Sequence, residues 1–480
     1  MKVLGIVAEY NPFHNGHMYH IEQSKKLTGC DYVVCVMSGN FIQRGEPAII
    51  NKFARTEIAL NSGVDLVVEL PVPFSMSSAE YFAFGAVKLL DSLGIVDCIS
   101  FGSEHGEVNE LLSIAKLLCE EPEEFKQYLT AELKAGLSFP AARQNAIEQY
   151  FSDKALQESI HELLSSSNNI LGVEYLKALI RLNSKIKPYT VKRVSNAYNE
   201  KHLTGSISSA TAIRRSIMSC DSSIASTNKV KPRASEATEA CFQYASDVPA
   251  TGSQWASVFP DAGSQYATYF PKDCSQYSFV GTEACAQYAS AVPQIACQVL
   301  EREFAAGRGP VSMEDFELII LSMLRSMNTQ IIAKLPGISE GLEYRLKSAA
   351  LEAGSINELL DLASTKRYTR TRLQRTIMSL LSGLTQQDLN EFMVYGGPQY
   401  ARILGFNNNG KELLSKAKRN SCIPIITKTK DALRTCNPLL KKMLEIENVA
   451  TNNYVLAYKD SALRKSGQEY TSKLVIVQNQ

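Results

Sequence analysis

The 480 residues contain no Cys-x-x-Cys pair, and the eleven cysteines stand at scattered spacings. An odd number of unclustered thiols argues against a disulfide framework and against a zinc site, so the cysteines are expected to be reduced and structural. Long apolar runs are missing too. No stretch reaches the length of a membrane span, although apolar residues make up 45% of the chain and charged residues 21%; this fits a soluble globular protein with no membrane partner. No leader-type segment is expected, because Lys2 precedes only a strand-length apolar run that ends at Glu9, and the expected location is the cytoplasm. Net charge is almost absent at +1. That excludes bulk electrostatic capture of nucleic acid, so any RNA contact must use local basic patches. What the chain does have is length, enough for two or three domains and a sizeable core.

It also has one dense cluster of chemistry near its start. The apolar run Val3-Leu4-Gly5-Ile6-Val7-Ala8 leads into Glu9-Tyr10-Asn11-Pro12-Phe13-His14-Asn15-Gly16-His17 and then Met18, Tyr19 and His20. Three of the six histidines thus fall within seven residues at a spacing of three, on one side of a helix. A strand, a tight turn with Gly16 and a helix N-terminus would offer unpaired N–H groups and the positive end of a dipole to a phosphate. Imidazoles on the first turn can donate hydrogen bonds to phosphate oxygens as negative charge builds up, with no covalent intermediate. His14 and His17 are therefore the candidate catalytic pair.

The pattern resembles the HxGH signature of the nucleotidyltransferase superfamily, whose members transfer an adenylyl group from ATP. A second stretch, Gly205-Ser206-Ile207-Ser208-Ser209-Ala210-Thr211-Ala212-Ile213-Arg214-Arg215, resembles that superfamily's ISSTxIR element. Its Ser208, Ser209 and Thr211 are suited to capping a helix and offering hydroxyls to phosphates, and Arg214 adds positive charge.

From Met1 to about Ile217 the chain alternates strand and helix. Candidate strands are Val3 to Ala8, Tyr32 to Met37, Leu66 to Leu70, Cys98 to Phe101 and Tyr189 to Val194, most of them apolar enough for burial on both faces. Such alternation predicts an α/β fold with a parallel sheet and a ligand at the C-terminal strand ends. Polar residues follow those ends. Arg44, Lys52 and Arg55, after the second strand, could each clamp a phosphate or a carboxylate. Gly102, after the fourth, would let an adenine approach. Asn168 and Asn169 sit where a helix N-cap belongs; capping needs only one of them, leaving an amide to read the nucleotide.

Between about Asp221 and Cys297 glutamine recurs every eleven residues, at 243, 254, 265, 276, 287 and 298, and five of the six are followed by Tyr or Trp. Proline in four of the units opposes a coiled coil. The stretch reads as a tandem-repeat insertion, loosely ordered and exposed, with no catalytic role. From about Val311 helical spacing returns. Within it Lys366, Arg367, Arg370, Arg372 and Arg375 surround Tyr368, a set suited to phosphate contacts with stacking on RNA. A last unit holds a strand-like Ile423 to Lys428 after a lysine-rich helix. The expected division is a catalytic domain at 1–220, the insertion at 221–298, a helical domain at 299–395 and a small α/β unit at 396–480.

Taken together, these segments resemble the bacterial tRNA(Met) cytidine acetate ligase family. The resemblance implies a Rossmann-like nucleotidyltransferase domain that uses ATP, with Mg2+, to activate acetate as acetyl-adenylate. It then passes the acetyl group to N4 of the wobble cytidine in elongator tRNA(Met). It also implies an ATP site from Val7 to His20 with Gly102, Asn168 or Asn169, and Arg193, and with Ser208, Ser209 and Arg214 on the remaining phosphates. Acetate would need a cation from among Arg44, Lys52 and Arg55, and the basic helices would hold the tRNA; no stable protein partner is implied. The repeat departs from the family pattern and makes the chain longer than expected. Two other readings are an adenylyltransferase acting on a phosphorylated small molecule and a non-catalytic RNA-binding protein.

Overall fold

The computed structural model describes residues 1–104, 106–137, 139–151, 160–161, 163–164, 166–193, 208–227, 288–434 and 436–478. Met1–Arg215 and Ala289–Gln480 together form one compact unit, and Ser216–Tyr288 a second. Residues 228–287, most of the eleven-residue repeat, lie outside the described residues, as does 205–207 of the second motif.

The first unit is built on one sheet. In chain order come β1 (Val3–Ala8), α1 (Asn15–Thr28), β2 (Tyr32–Ser38), a short hairpin of β3 (Phe41–Ile42) and β4 (Glu46–Pro47), α2 (Lys52–Asn61), β5 (Leu66–Leu70), α3 (Ala79–Ser92) and β6 (Cys98–Ser103). After several helices follow α4 (Ser167–Arg181), β7 (Lys187–Lys192), α5 (Ala210–Thr227), whose later part belongs to the second unit, and α6 (Gln294–Ala305). Further helices include α7 (Arg370–Ser379) and lead to β8 (Ala401–Phe406), β9 (Ile425–Ile426), α8 (Pro438–Tyr454) and β10 (Val475–Ile476).

The strand order is β10-β8-β5-β2-β1-β6-β7, with β9 beside β8. Every pair in it is parallel except β5 with β8. From β1 the chain winds one way to β2 and β5 and the other way to β6 and β7. The crevice beside β1 at its C-terminal end is therefore the switch point at which such sheets bind ligands. Val33 to Met37 and Leu66 to Val68 are fully buried, as strands covered by helices on both faces must be.

Two boundaries differ from the sequence expectation. Residues 396–480 do not stand apart: β8, β9 and β10 extend the main sheet. The physical reason is Glu69, a charge inside the buried strand Leu-Val-Val-Glu-Leu. Glu69 faces Arg402 in the antiparallel register of β5 and β8, at 2.9 Å. Lys52 reaches the same carboxylate at 2.6 Å and that of Glu469 at 2.8 Å, with Glu447 at 3.5 Å. A buried charge is tolerated only when paired, so one strand residue obliges the C-terminal segment to dock. The second difference is that α6 starts at Gln294, inside the stretch assigned to the insertion, and packs on α2.

Candidate active site

Between β1 and α1 the chain reverses within six residues. Tyr10 takes a left-handed conformation, φ 48°, unusual for an aromatic residue. Its ring is held against Phe13 at 4.7 Å and His17 at 4.9 Å between centroids. His14 is the N-cap of α1, not a residue of its first turn, and Gly16 lies inside the helix rather than in the turn before it. The backbone N–H of His14 donates to Nδ1 of His17 at 3.2 Å. That bond fixes the His17 tautomer: Nδ1 is the acceptor, so the neutral ring carries its proton on Nε2 as a donor. The two imidazoles stack at 3.7 Å and 25°.

Both rings are held neutral. Burial, then the charges of Arg193 and Arg214, pull His14 down to about 3. Burial, then His14 and Arg193, hold His17 well below the usual histidine value. His14 is 8% exposed and its Nδ1 has no hydrogen-bond partner among the described residues. An orphaned buried nitrogen that feels the charges of two guanidinium groups suits an anion that brings its own oxygens. His20 is placed differently. Its ring meets Ser100 of β6 at 3.4 Å and bonds the Phe101 backbone, so it ties α1 to the sheet.

The second motif comes to the first. Ser209 caps α5, its hydroxyl accepting from the Ala212 N–H at 3.2 Å, and Ser208 is buried. One turn on, Arg214 donates to the Asn11 carbonyl at 2.8 Å and to Glu46 at 3.2 Å. At the other side of the switch point the Arg193 side chain passes over Gly102, where a Cβ would lie 3.3 Å from its Cγ. That glycine makes room for an arginine. Ser166, not an asparagine, caps α4. Asn168 instead donates to Glu104 at 2.7 Å, while Asn169 accepts from the Glu104 N–H at 3.1 Å.

Of the three cations considered for acetate, two are fully buried. Arg55 is fully buried, and its guanidinium bonds the carbonyls of Ile50 at 3.3 Å, Glu9 at 2.5 Å and Gly39. Lys52 belongs to the buried ion cluster. Arg44 stays half-buried on the hairpin turn between β3 and β4. That turn was not foreseen, since two-residue strands leave no readable period, and it brings Glu46 to Arg214 and the Gln43 N–H to the Glu9 carboxylate at 2.7 Å.

The basic residues before and within α7 divide. Arg367 pairs with Glu340, and Arg370 with Asp361. Arg372 bonds the Gly337 carbonyl at 2.8 Å and lies over Tyr368 at 5.0 Å, and Lys366 is exposed. Arg375 faces the Gln43 carbonyl at 3.5 Å, and burial and Arg372 lower it to about 10. A separate cavity of about 320 Å³ includes none of the expected site residues. Its arginines are already committed, Arg302 to Glu57 at 2.8 Å and Arg308 to Glu303 at 2.7 Å.

The sequence matches the family described as HIGH Nucleotidyl Transferase over residues 1–276 and 276–469, two segments that meet inside the repeat. The tRNA(Met) cytidine acetate ligase of Acetivibrio thermocellus is 47% identical over 477 residues, covering 99% of this chain and 100% of the relative. The protein of the same name from Thermoanaerobacter sp. strain X514 is 39% identical over 475 residues, again 99% and 100%. Among solved structures, Thermotoga maritima TmcAL bound with alpha-thio ATP superposes with a TM-score of 0.81 at 34% identity over the whole of both chains. Its ligand-free form gives 0.83. Similarity of this extent, end to end in both sequence and structure, shows that the chain belongs to the tRNA(Met) cytidine acetate ligase family.

Proposed function

We propose that this protein is a cytoplasmic ligase that joins acetate to AMP as acetyl-adenylate, releasing pyrophosphate. It then transfers the acetyl group to N4 of the wobble cytidine of elongator tRNA(Met). The observation that carries the reading is the stacked, neutral pair of His14 and His17 at the sheet's switch point, with an unpartnered Nδ1 on His14 and the charges of Arg193 and Arg214 acting on it. A triphosphate arriving there meets the Nε2–H of His17 and two cations. As acetate attacks the α-phosphorus and pyrophosphate leaves, these donors stabilise the added charge without moving.

In this reading the ATP site comprises Val7 to His20, Gly102, Asn168 or Asn169 and Arg193, with Ser208, Ser209 and Arg214 on the outer phosphates. Full burial of Lys52 and Arg55 favours Arg44, the part-exposed one of the three, for the acetate carboxylate. Magnesium would arrive as the counter-ion of the triphosphate: among the described residues no three His, Cys, Asp or Glu side chains group to hold an ion, and Mg2+ commonly binds through substrate phosphates. Lys366, Arg367, Arg370, Arg372 and Arg375 would hold the tRNA.

The test is mass spectrometry of nucleosides from elongator tRNA(Met) incubated with the protein, ATP and acetate. N4-acetylcytidine is expected, together with acetate-dependent ATP–pyrophosphate exchange. Exchange that requires a phosphorylated small molecule instead of acetate would refute the reading.

A further inference from the structure

Resting on the ligase reading, we infer that Glu9 is a catalytic residue of the second step: its carboxylate accepts a hydrogen bond from the cytidine N4 amine and takes the proton that the amine must lose.

Chemistry requires such a group. The exocyclic amine of cytosine is a weak nucleophile because its lone pair is shared with the ring. When the N4 lone pair attacks the acetyl carbonyl carbon, an N–C bond forms and the C–O bond to the AMP phosphate breaks, the electron pair leaving with AMP. The nitrogen then carries one proton too many. Neutral imidazoles whose proton affinity is suppressed by burial and by arginines are poorly placed to take it. Carboxylates are the side chains that accept from cytosine N4.

Position singles out Glu9. It directly follows β1, at the mouth of the switch point, and Arg55 holds its carbonyl at 2.5 Å. Its side chain turns to the hairpin, where Oε1 accepts the Gln43 N–H at 2.7 Å. No described residue donates to Oε2. Arg214 acts electrostatically on both Glu9 and His14, and it bonds Glu46 of the same hairpin at 3.2 Å and the Asn11 carbonyl at 2.8 Å, so the carboxylate and the histidine pair share one guanidinium as a neighbour. The same hairpin turn abuts α7, since a Cβ on Gly45 would stand 2.3 Å from the Arg375 nitrogen. Glu9 therefore lies between the end of the site that would hold AMP and the helix proposed to hold RNA, where an incoming amine has to enter. Burial raises its proton affinity, while Arg214 and Arg44 oppose that shift; the group can ionise and still accept a proton.

Glu9→Gln keeps an oxygen for the Gln43 N–H and removes only the basic oxygen. The experiment loads the enzyme with ATP and radiolabelled acetate, quantifies acetyl-adenylate, then adds tRNA(Met) and follows transfer per adenylate formed. Transfer by Glu9→Gln should fall roughly 10²–10⁴-fold, the usual contribution of a positioned general base, and Glu9→Asp should recover at least a tenth of the wild-type rate. Transfer per adenylate within threefold of wild type in Glu9→Gln overturns the inference. So does equal loss in Gln and Asp, or failure of both variants to form adenylate, which would assign Glu9 to positioning or to the first step. If the wild-type protein itself forms no acetyl-adenylate, the ligase reading fails, and this inference with it.

Discussion

At the scale of single residues the site depends on how three imidazoles are held neutral. A histidine in an unfolded chain titrates near 6.5, whereas burial and the neighbouring arginines bring His14 to about 3 and His20 to about 4. Neutral rings suit the proposed triphosphate site: Arg193 and Arg214 would supply the charge, and the imidazoles would supply N–H donors. In the free protein the ring nitrogens of His14 and His20 should keep the NMR shifts of neutral imidazole down to pH 5; protonation of either above that pH would show the site to be open to solvent. The sign for stability follows. Between pH 6.5 and about 4 the unfolded chain binds more protons than the fold, so acidification through that window is destabilising. His14-x-x-His17 was legible because an apolar strand and a helix-forming segment frame it in sequence. That His14 caps the helix, and that His20 turns to β6, was not legible, since a spacing of three fixes a helix face but not which turn begins it.

At the scale of elements the sheet was legible on its apolar side and hidden on its charged one. The strands β1, β2, β5 and β6 are mostly apolar runs between helical segments, and the parallel order follows from that alternation; β7, Lys-Pro-Tyr-Thr-Val-Lys, is no apolar run and starts two residues before the expected Tyr189. The addition of β8 to β5 rests on pairing across more than three hundred residues, and only the misplaced charge of Glu69 hinted at it. Three carboxylates and two cations share that buried cluster, which leaves one acid in excess. The excess proton belongs to Glu447: burial, then repulsion from Glu69, pushes its carboxyl up to about 8, whereas for Glu69 the upward push of burial is outweighed by the charges of Lys52 and Arg402, which hold it at about 2 and ionised. From pH 4.5 to about 8 the fold keeps a proton that the unfolded chain has lost, so this group costs stability as pH rises. Glu447→Gln, which retains an acceptor for the Val72 N–H bonded now at 2.9 Å, should therefore gain on wild type between pH 5 and pH 8. Urea unfolding at both pH values measures it; a difference that does not change with pH would place the proton elsewhere.

At the scale of the whole molecule, a chain of net charge +1 that is to hold a polyanion has to keep some of its cations out of ion pairs. The sequence offers five basic residues around Tyr368 and no means of ranking them, because their acidic partners lie on other elements. In the fold Glu340 and Asp361 neutralise Arg367 and Arg370. Lys366, Arg372 and Arg375 have no acidic partner among the described residues, and the hairpin that carries Gln43 and Glu46 links Arg375 to the nucleotide end of the sheet. Each phosphate neutralised releases condensed counter-ions, so the slope of log K against log salt reports how many charges take part. Alanine at Lys366, Arg372 or Arg375 should each lower the slope for tRNA(Met) by about 0.7–0.9, whereas alanine at Arg367 or Arg370 should change it much less, because a charge already paired at the surface adds little on binding. Arg375→Ala should in addition slow acetyl transfer more than its loss of affinity accounts for, since it alone of the five meets the hairpin. Equal slopes for all five variants would mean that the surface ion pairs open on binding and that the tRNA is held by the helix as a uniform basic face.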